Sequence, residues 1–238
     1  TAGGTWSSSN TAAGTIDAAG VVTGSAAGTT TISYVTANGC FETLTVTVNN
    51  LPSVITGGTT VCENSTTTLS STPPGGTWSS STPATGTVNG GGVVTGLSAG
   101  TTTITYTSAA GCTRTTVVTV NARPAAFTPT TNALCVGATV TYSTTPTGGT
   151  WTSSNATNAS IGSATGLMTG NNAGTATITY THPTNGCLRT RTITVNPLPA
   201  AIGGSTTLCP ATNVTLSNTS TGGTWSSSNA AVGTIGST

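Results

Sequence analysis

The octapeptide GGTWSSSN begins at Gly3, and close copies begin at Gly75, Gly148 and Gly222. The tryptophans inside them, Trp6, Trp78, Trp151 and Trp225, lie 72, 73 and 74 residues apart. A second motif keeps the same time: GVVTGSAAGTTTISY from Gly20, GVVTGLSAGTTTITY from Gly92 and GLMTGNNAGTATITY from Gly166. A Gly-Cys pair at Cys40, Cys112 and Cys187 and a Pro-containing joint at Asn49, Asn121 and Asn196 recur with them. A fixed internal period means a row of like units, each carrying one copy of the motif. This period is too long for the common helical solenoids. It suits one small β-sandwich per unit, with about seven short strands and a turn signal every 8–12 residues.

The residues between the motifs agree. TLTVTV (Thr43 to Val48), TTITYT (Thr102 to Thr107) and ATITYT (Ala176 to Thr181) place β-branched or aromatic residues at every second position. Strict alternation is the mark of a strand with one buried face, and it excludes reading the Ser/Thr/Gly-rich composition as disorder. One unit reads as strands around SVITG, TTTLSS, GTWSS, GTVNG, GVVTG, TTTITYT and RTTVVTV. Trp78 is expected in the third of them, facing a core of Ile104, Tyr106, Val118 and Val120.

Charge excludes most chemistry. Charged residues make up 3% of the chain, against about 25% in ordinary globular proteins. The inventory is Asp17, Glu42, Glu63, Arg114, Arg123, Arg189 and Arg191, with one histidine, His182. Acid–base catalysis needs positioned titrating groups, and hydrolytic metal sites need clustered His, Cys or carboxylates. Neither set is available, so no enzyme activity, cofactor or metal site is expected. There is no Lys for a phosphate loop and no basic patch for nucleic acid. No apolar run is long enough to span a membrane.

The pattern G-x-V-T-G-x-x-A-G-T-x-x-I-T-Y following T-W-S-S-S-N resembles the bacterial immunoglobulin-like domain, group two, over essentially the whole chain. The resemblance implies an all-β fold of tandem Ig-like β-sandwich domains in an elongated array. It also implies a role in spacing and presentation on secreted adhesins and surface stalks. Cutting at the Pro joints gives a partial domain over 1–50 without its first strands, domains over 51–122 and 123–197, and a partial domain over 198–238 without its last strands. The sequence is therefore expected to be part of a longer polypeptide, its domains strung along one axis at roughly 35–45 Å each. The leading reading is a non-catalytic structural segment of an extracellular bacterial fibre or stalk. Its partners are neighbouring copies or the continuation of the same repeat chain in a filament. The alternative is the stalk of a cell-surface adhesin whose ligand-binding tip lies elsewhere.

The six cysteines, Cys40, Cys62, Cys112, Cys135, Cys187 and Cys209, recur with the period and read as disulfide formers in an oxidising compartment. Two schemes respect the repeat. Within a domain, Cys62 pairs with Cys112 and Cys135 with Cys187. Across the Pro joints, Cys40 pairs with Cys62, Cys112 with Cys135 and Cys187 with Cys209. The first is favoured, because a unit of some 70 residues buries a modest core and gains from a staple.

The remaining candidates have bland readings beside the sharp ones. Each Trp is taken as a core residue rather than a sugar-stacking platform. His182 is taken as a solvated loop residue rather than a metal ligand. Asp17, Glu42 and Glu63 are too few to gather the six to eight oxygens that calcium wants. Glu42, Arg114 and Arg189 share one repeat position and either pair between neighbours or drift on an exposed strand. Outward Thr103, Thr105 and Thr107, with Thr43, Thr45 and Thr47, form hydroxyl rows. Sheet twist argues against an ice-binding plane there. A glycan coat on Ser, Thr or the sequons Asn64, Asn155, Asn158, Asn213 and Asn218 would hydrate a surface that lacks charge.

Overall fold

The computed structural model describes residues 3–236. The chain divides after Arg123 into two compact units. No helix occurs among the described residues; the chain is all-β, in tandem Ig-like sandwiches.

The first unit opens with β1 (Thr5–Ser8), β2 (Gly14–Ile16), β3 (Val22–Gly24), β4 (Gly28–Val35) and β5 (Phe41–Val48). Strands β1, β4 and β5 form one sheet and β2 and β3 a second. A full sandwich follows: β6 (Thr56–Gly57), β7 (Thr60–Cys62), β8 (Thr66–Ser70), β9 (Thr77–Ser80), β10 (Gly86–Val88), β11 (Val93–Gly96), β12 (Gly100–Thr107) and β13 (Thr113–Asn121). Its sheets run in the orders β10-β11-β8-β6 and β7-β13-β12-β9. All seven strands read from the sequence are present. The additional one is β7, three residues long and too short to show alternation. It runs parallel to the end of β13, with Cys62 opposite Asn121.

The inner faces of the two sheets meet in a core of Ile55, Val61, Leu69, Val94, Ile104, Tyr106, Val118 and Val120, with Trp78 packed against it. Trp78 thus faces inward with the expected residues, on the fourth strand of its sandwich rather than the third. The outward face of the β13-β12-β9 sheet is a hydroxyl ladder. Thr105 stands opposite Thr115 on one side and Ser79 on the other.

The second unit repeats the plan with β14 (Ala133–Cys135), β15 (Thr139–Thr141), β16 (Thr150–Ser153), β17 (Ala159–Ile161), β18 (Leu167–Gly170), β19 (Gly174–Thr181) and β20 (Leu188–Asn196). Its sheets are β14-β20-β19-β16 and β15-β18-β17. The core gains aromatics: Phe127 stands where the preceding sandwich has Ile55, and Tyr142 where it has Leu69. Their rings close over Trp151, which is 5% exposed, whereas Trp6 in the first sheet is 39% exposed. Beyond Asn196 the described residues hold no strand, only an isolated bridge between Gly203 and Ser217. The fourth Trp motif therefore forms no strand, against expectation. Strand β9 exists by pairing with β12, and among the described residues no strand pairs with Trp225 in that way.

Candidate functional site

The recurring motif residues are the first candidates, and the structure gives each a structural task. In GGTWSS, the second serine turns inward. Ser80 Oγ donates to the Gly86 carbonyl at 2.6 Å and lies 2.7 Å from Thr102 Oγ1. Ser8 does the same with Gly14 and Thr30, and Ser153 bonds the Ala159 carbonyl at 2.6 Å. The third serine accepts a backbone N–H at the end of the pairing: Thr31 to Ser9 and Thr177 to Ser154 at 2.9 Å, Thr103 to Ser81 at 3.0 Å. Ser80, whose proton already rests on a carbonyl, is not poised as a nucleophile.

The tyrosine that ends the second motif locks the Gly-Gly turn. Tyr180 Oη accepts the Gly149 N–H and donates to the Pro146 carbonyl, both at 2.7 Å. Tyr106 does so with Gly76 and Pro73. The phenol lies so close to the turn that a Cβ on Gly76 would sit 2.3 Å from the Thr107 carbonyl oxygen and 2.4 Å from Tyr106 Cζ. Gly75 beside it has φ +86°, in the left-handed region. The motif pair is thus one device, a turn closed by a ring from the strand next door. Reading the serines and the tyrosine as mere strand residues missed this; their fixed offsets within the repeat were the available signal.

The charged residues are dispersed. Asp17 Oδ1 accepts the Ala19 and Val21 N–H groups at 2.9 Å, and Asn89 does the same work in the next copy at 3.0 Å. An amide replaces the acid there, so the role is a turn. Glu63 accepts N–H bonds from Ala99 at 2.9 Å and Arg123 at 3.2 Å. Arg114 is not on an exposed face. It is half-buried on the inner face of β13, and its Nε donates to the Pro52 carbonyl at 3.1 Å. Arg191, which the sequence did not single out, holds the carbonyls of Phe127 (3.0 Å) and Pro129 (2.7 Å) and lies over the Phe127 and Tyr142 rings. His182 is half-buried rather than solvated. Its Nδ1 receives the Thr184 and Asn185 N–H groups in the β19–β20 turn. Among the described residues, no three His, Cys, Asp or Glu side chains gather as a metal site.

Both cysteine schemes fail. Cys40, Cys112, Cys135 and Cys209 are free thiols, while Cys62 and Cys187 are disulfide-bonded. The reason is register. Cys62 lies opposite the last residue of β13, and Cys112 directly precedes the first. Nine residues of strand separate them, roughly 30 Å, where a disulfide tolerates about 7 Å between Cα atoms. Cys135 opposite Asn196 and Cys187 ahead of Leu188 repeat this arrangement. The joint-spanning pair Cys40 and Cys62 is worse placed. Cys112 reaches the joint, with Sγ 3.9 Å from the Asn49 carbonyl. Cys40 lies a strand length from that joint on one side and Cys62 a strand length on the other.

Among the sequons, Asn64, Asn155 and Asn213 are exposed. Asn158 and Asn218 are half-buried, and their amide nitrogens donate to the carbonyls of Thr175 and Ala200.

Residues 2–48, 40–120 and 121–188 each match the bacterial Ig-like domain (group 2) profile. The chain belongs to this family. Among curated protein sequences none matches the chain. Solved structures of similar fold include invasin, a bacterial integrin-binding protein, at 15% identity and TM-score 0.38, covering 82% of this chain and 52% of that one. Domains 1–6 of the surface-layer protein SbsC give 16% identity and TM-score 0.31 over 85% of this chain and 36% of that one. A C-terminal fragment of intimin, bound to the intimin-binding domain of its translocated receptor, gives 14% identity and TM-score 0.31 over 72% and 60%. The chain thus spans little more than a third of the SbsC fragment. In this bacterial Ig-like chain the inward-facing signature residues serve turns and cores, and the outward-facing ones form hydroxyl rows.

Proposed function

We propose that these sandwiches are the passive spacer of an extracellular or cell-surface bacterial protein, a stalk or fibre segment without catalysis. The observation that carries this reading is the employment of the inward-facing motif side chains. Ser80, Thr102 and Tyr106 are each bonded within their own sandwich, which supports reading the recurring residues as scaffold. The surface left over is threonine and serine ladder with almost no charge, suited to a hydrated glycan coat on exposed hydroxyls or on Asn64, Asn155 and Asn213. Electron microscopy of native material tests the spacer, with filaments or surface rods expected and compact isolated particles overturning it. Intact mass tests the coat: a native segment at the bare 22.9 kDa refutes glycosylation.

A further inference from the structure

The dipeptide Asn-Gly occurs at Asn38, Asn89 and Asn185. In it the glycine nitrogen can attack the asparagine side chain, a five-membered ring closure that ends by turning the amide into an acid. The copies are built differently. Gly39 N–H donates to the Thr36 carbonyl at 2.9 Å, and Gly186 N–H to the His182 carbonyl at 3.3 Å. A proton bonded to a carbonyl is withheld from solvent base, as in hydrogen exchange. Gly90 is exposed, and its N–H makes no hydrogen bond among the described residues.

The group under attack is held as well. Asn89 Oδ1 receives the N–H groups of Gly91 and Val93, both at 3.0 Å. Those donors point at the oxygen that turns negative when a nucleophile adds to Cγ, which is the arrangement of an oxyanion hole. Nothing crowds the approach, since a Cβ built on Gly90 would meet no atom within 4 Å. The preceding repeat shows the product in place. Asp17 stands where Asn89 does, and its Oδ1 receives the Ala19 and Val21 N–H groups at 2.9 Å. The backbone bonds of the two turns also match. Asp17 N–H reaches the Val21 carbonyl at 3.1 Å and Gly20 N–H the Asp17 carbonyl at 3.0 Å, where Asn89 to Val93 and Gly92 to Asn89 are both 3.0 Å. The turn therefore accepts a carboxylate without rearrangement.

We propose that Asn89 is a self-modifying site, converted to aspartate by its own turn. Solvent base takes the Gly90 N–H proton, and the nitrogen bonds to Asn89 Cγ while charge gathers on Oδ1 under the Gly91 and Val93 N–H groups. The Cγ–Nδ2 bond breaks and the amide leaves as ammonia, giving a succinimide. Water then adds at Cγ, again placing charge on Oδ1, and breaks the bond to the Gly90 nitrogen, which takes back a proton. One water is consumed, one ammonia is released and no electrons change hands. Water adding at the backbone carbonyl carbon gives the isoaspartyl chain instead, and the donor pair favours Cγ. The new carboxylate cancels the formal net charge of +1.

The inference stands on the geometry of one turn and does not depend on the spacer reading. The folded chain and the chain unfolded in urea are incubated side by side in mildly alkaline buffer. Proteolytic peptides carrying Asn38, Asn89 and Asn185 are then followed by mass spectrometry against synthetic aspartyl and isoaspartyl standards. In the folded chain Asn89 should convert first, about tenfold or more ahead of Asn38 and Asn185, with aspartate the main product. In urea, where the turn and its donors are gone, the three rates should converge and the isoaspartyl share at Asn89 should rise. A lead by Asn38 or Asn185 in the folded chain, an Asn89 that converts more slowly folded than unfolded, or isoaspartate as the main folded-state product overturns the proposal. Asn89→Asp should melt within about 2 °C of the parent chain. A larger loss shows that the turn rejects the product and overturns it too.

Discussion

Neighbouring residues of one motif carry very different weights. Ser79 points outward and Ser80 inward, so the same substitution has two outcomes. Ser80→Ala strands the Gly86 carbonyl and Thr102 hydroxyl and should cost about 1–3 kcal/mol. Ser79→Ala should stay within about 0.5 kcal/mol. Denaturant unfolding followed at Trp78 fluorescence separates the two. Gly76→Ala should be worse than either, because the new methyl meets backbone oxygen and the Tyr106 ring together. A loss of roughly 3 kcal/mol or more is expected, and a Tyr106→Phe background should leave part of it, from the Thr107 oxygen. Tyr142 offers a pH handle. Burial raises its pKa above the ordinary 10, and the Arg191 charge opposes this in part. The folded state holds the phenol proton after the unfolded state has lost it. Stability is therefore undiminished below pH 10 and falls as pH rises through the folded value. Tyr142→Phe should lower stability at neutral pH, through loss of the 2.6 Å bond to Thr131, and flatten the alkaline fall.

At the scale of elements, the two sandwiches solve one problem differently. The segment entering each sandwich has no continuous strand of its own and must be tied to the core. In the first sandwich, β6 pairs with β8 and Arg114 takes the Pro52 carbonyl. In the second, Phe127 and Tyr142 form an aromatic lid and Arg191 holds carbonyls of residues 127 and 129 beneath its stacked guanidinium. Arg191→Met keeps the stem and removes the donors. Hydrogen exchange should quicken over residues 125–131 and leave β19 and β20 protected, with a global loss of about 1–3 kcal/mol. Uniform loss of protection across the sandwich would contradict the local clamp. Arg191 was invisible in the sequence because the repeat alignment drew attention to Arg189. Only the register shows that both share an inner face with Ile193 and Val195.

For the whole molecule, stability rests on apolar cores and on hydrogen bonds of which few involve charged groups, those of Glu63, Arg114 and Arg191 going to backbone partners, with a formal net charge of +1. Screening has little to act on. The melting temperature should move by less than about 2 °C between 20 mM and 500 mM sodium chloride, measured by calorimetry. A large salt dependence would reveal an ionic contribution that the dispersed charges do not suggest.

The sequence alone determined the class of fold and nearly every strand of a sandwich. Alternation states which face of a strand is buried, and a fixed period repeats the statement in each copy. It also determined that Trp78, Ile104, Tyr106, Val118 and Val120 share a core. It did not determine which cysteines meet. Spacing along the chain made Cys62 and Cys112 look like natural partners, and only the tertiary structure separates them. Strand β7 lies parallel to β13. A parallel neighbour joins the end of one strand to the end of the other, so a cysteine on β7 is held at the end of β13 farthest from the hairpin. Three residues carry too little pattern to announce that direction, and direction decided the chemistry.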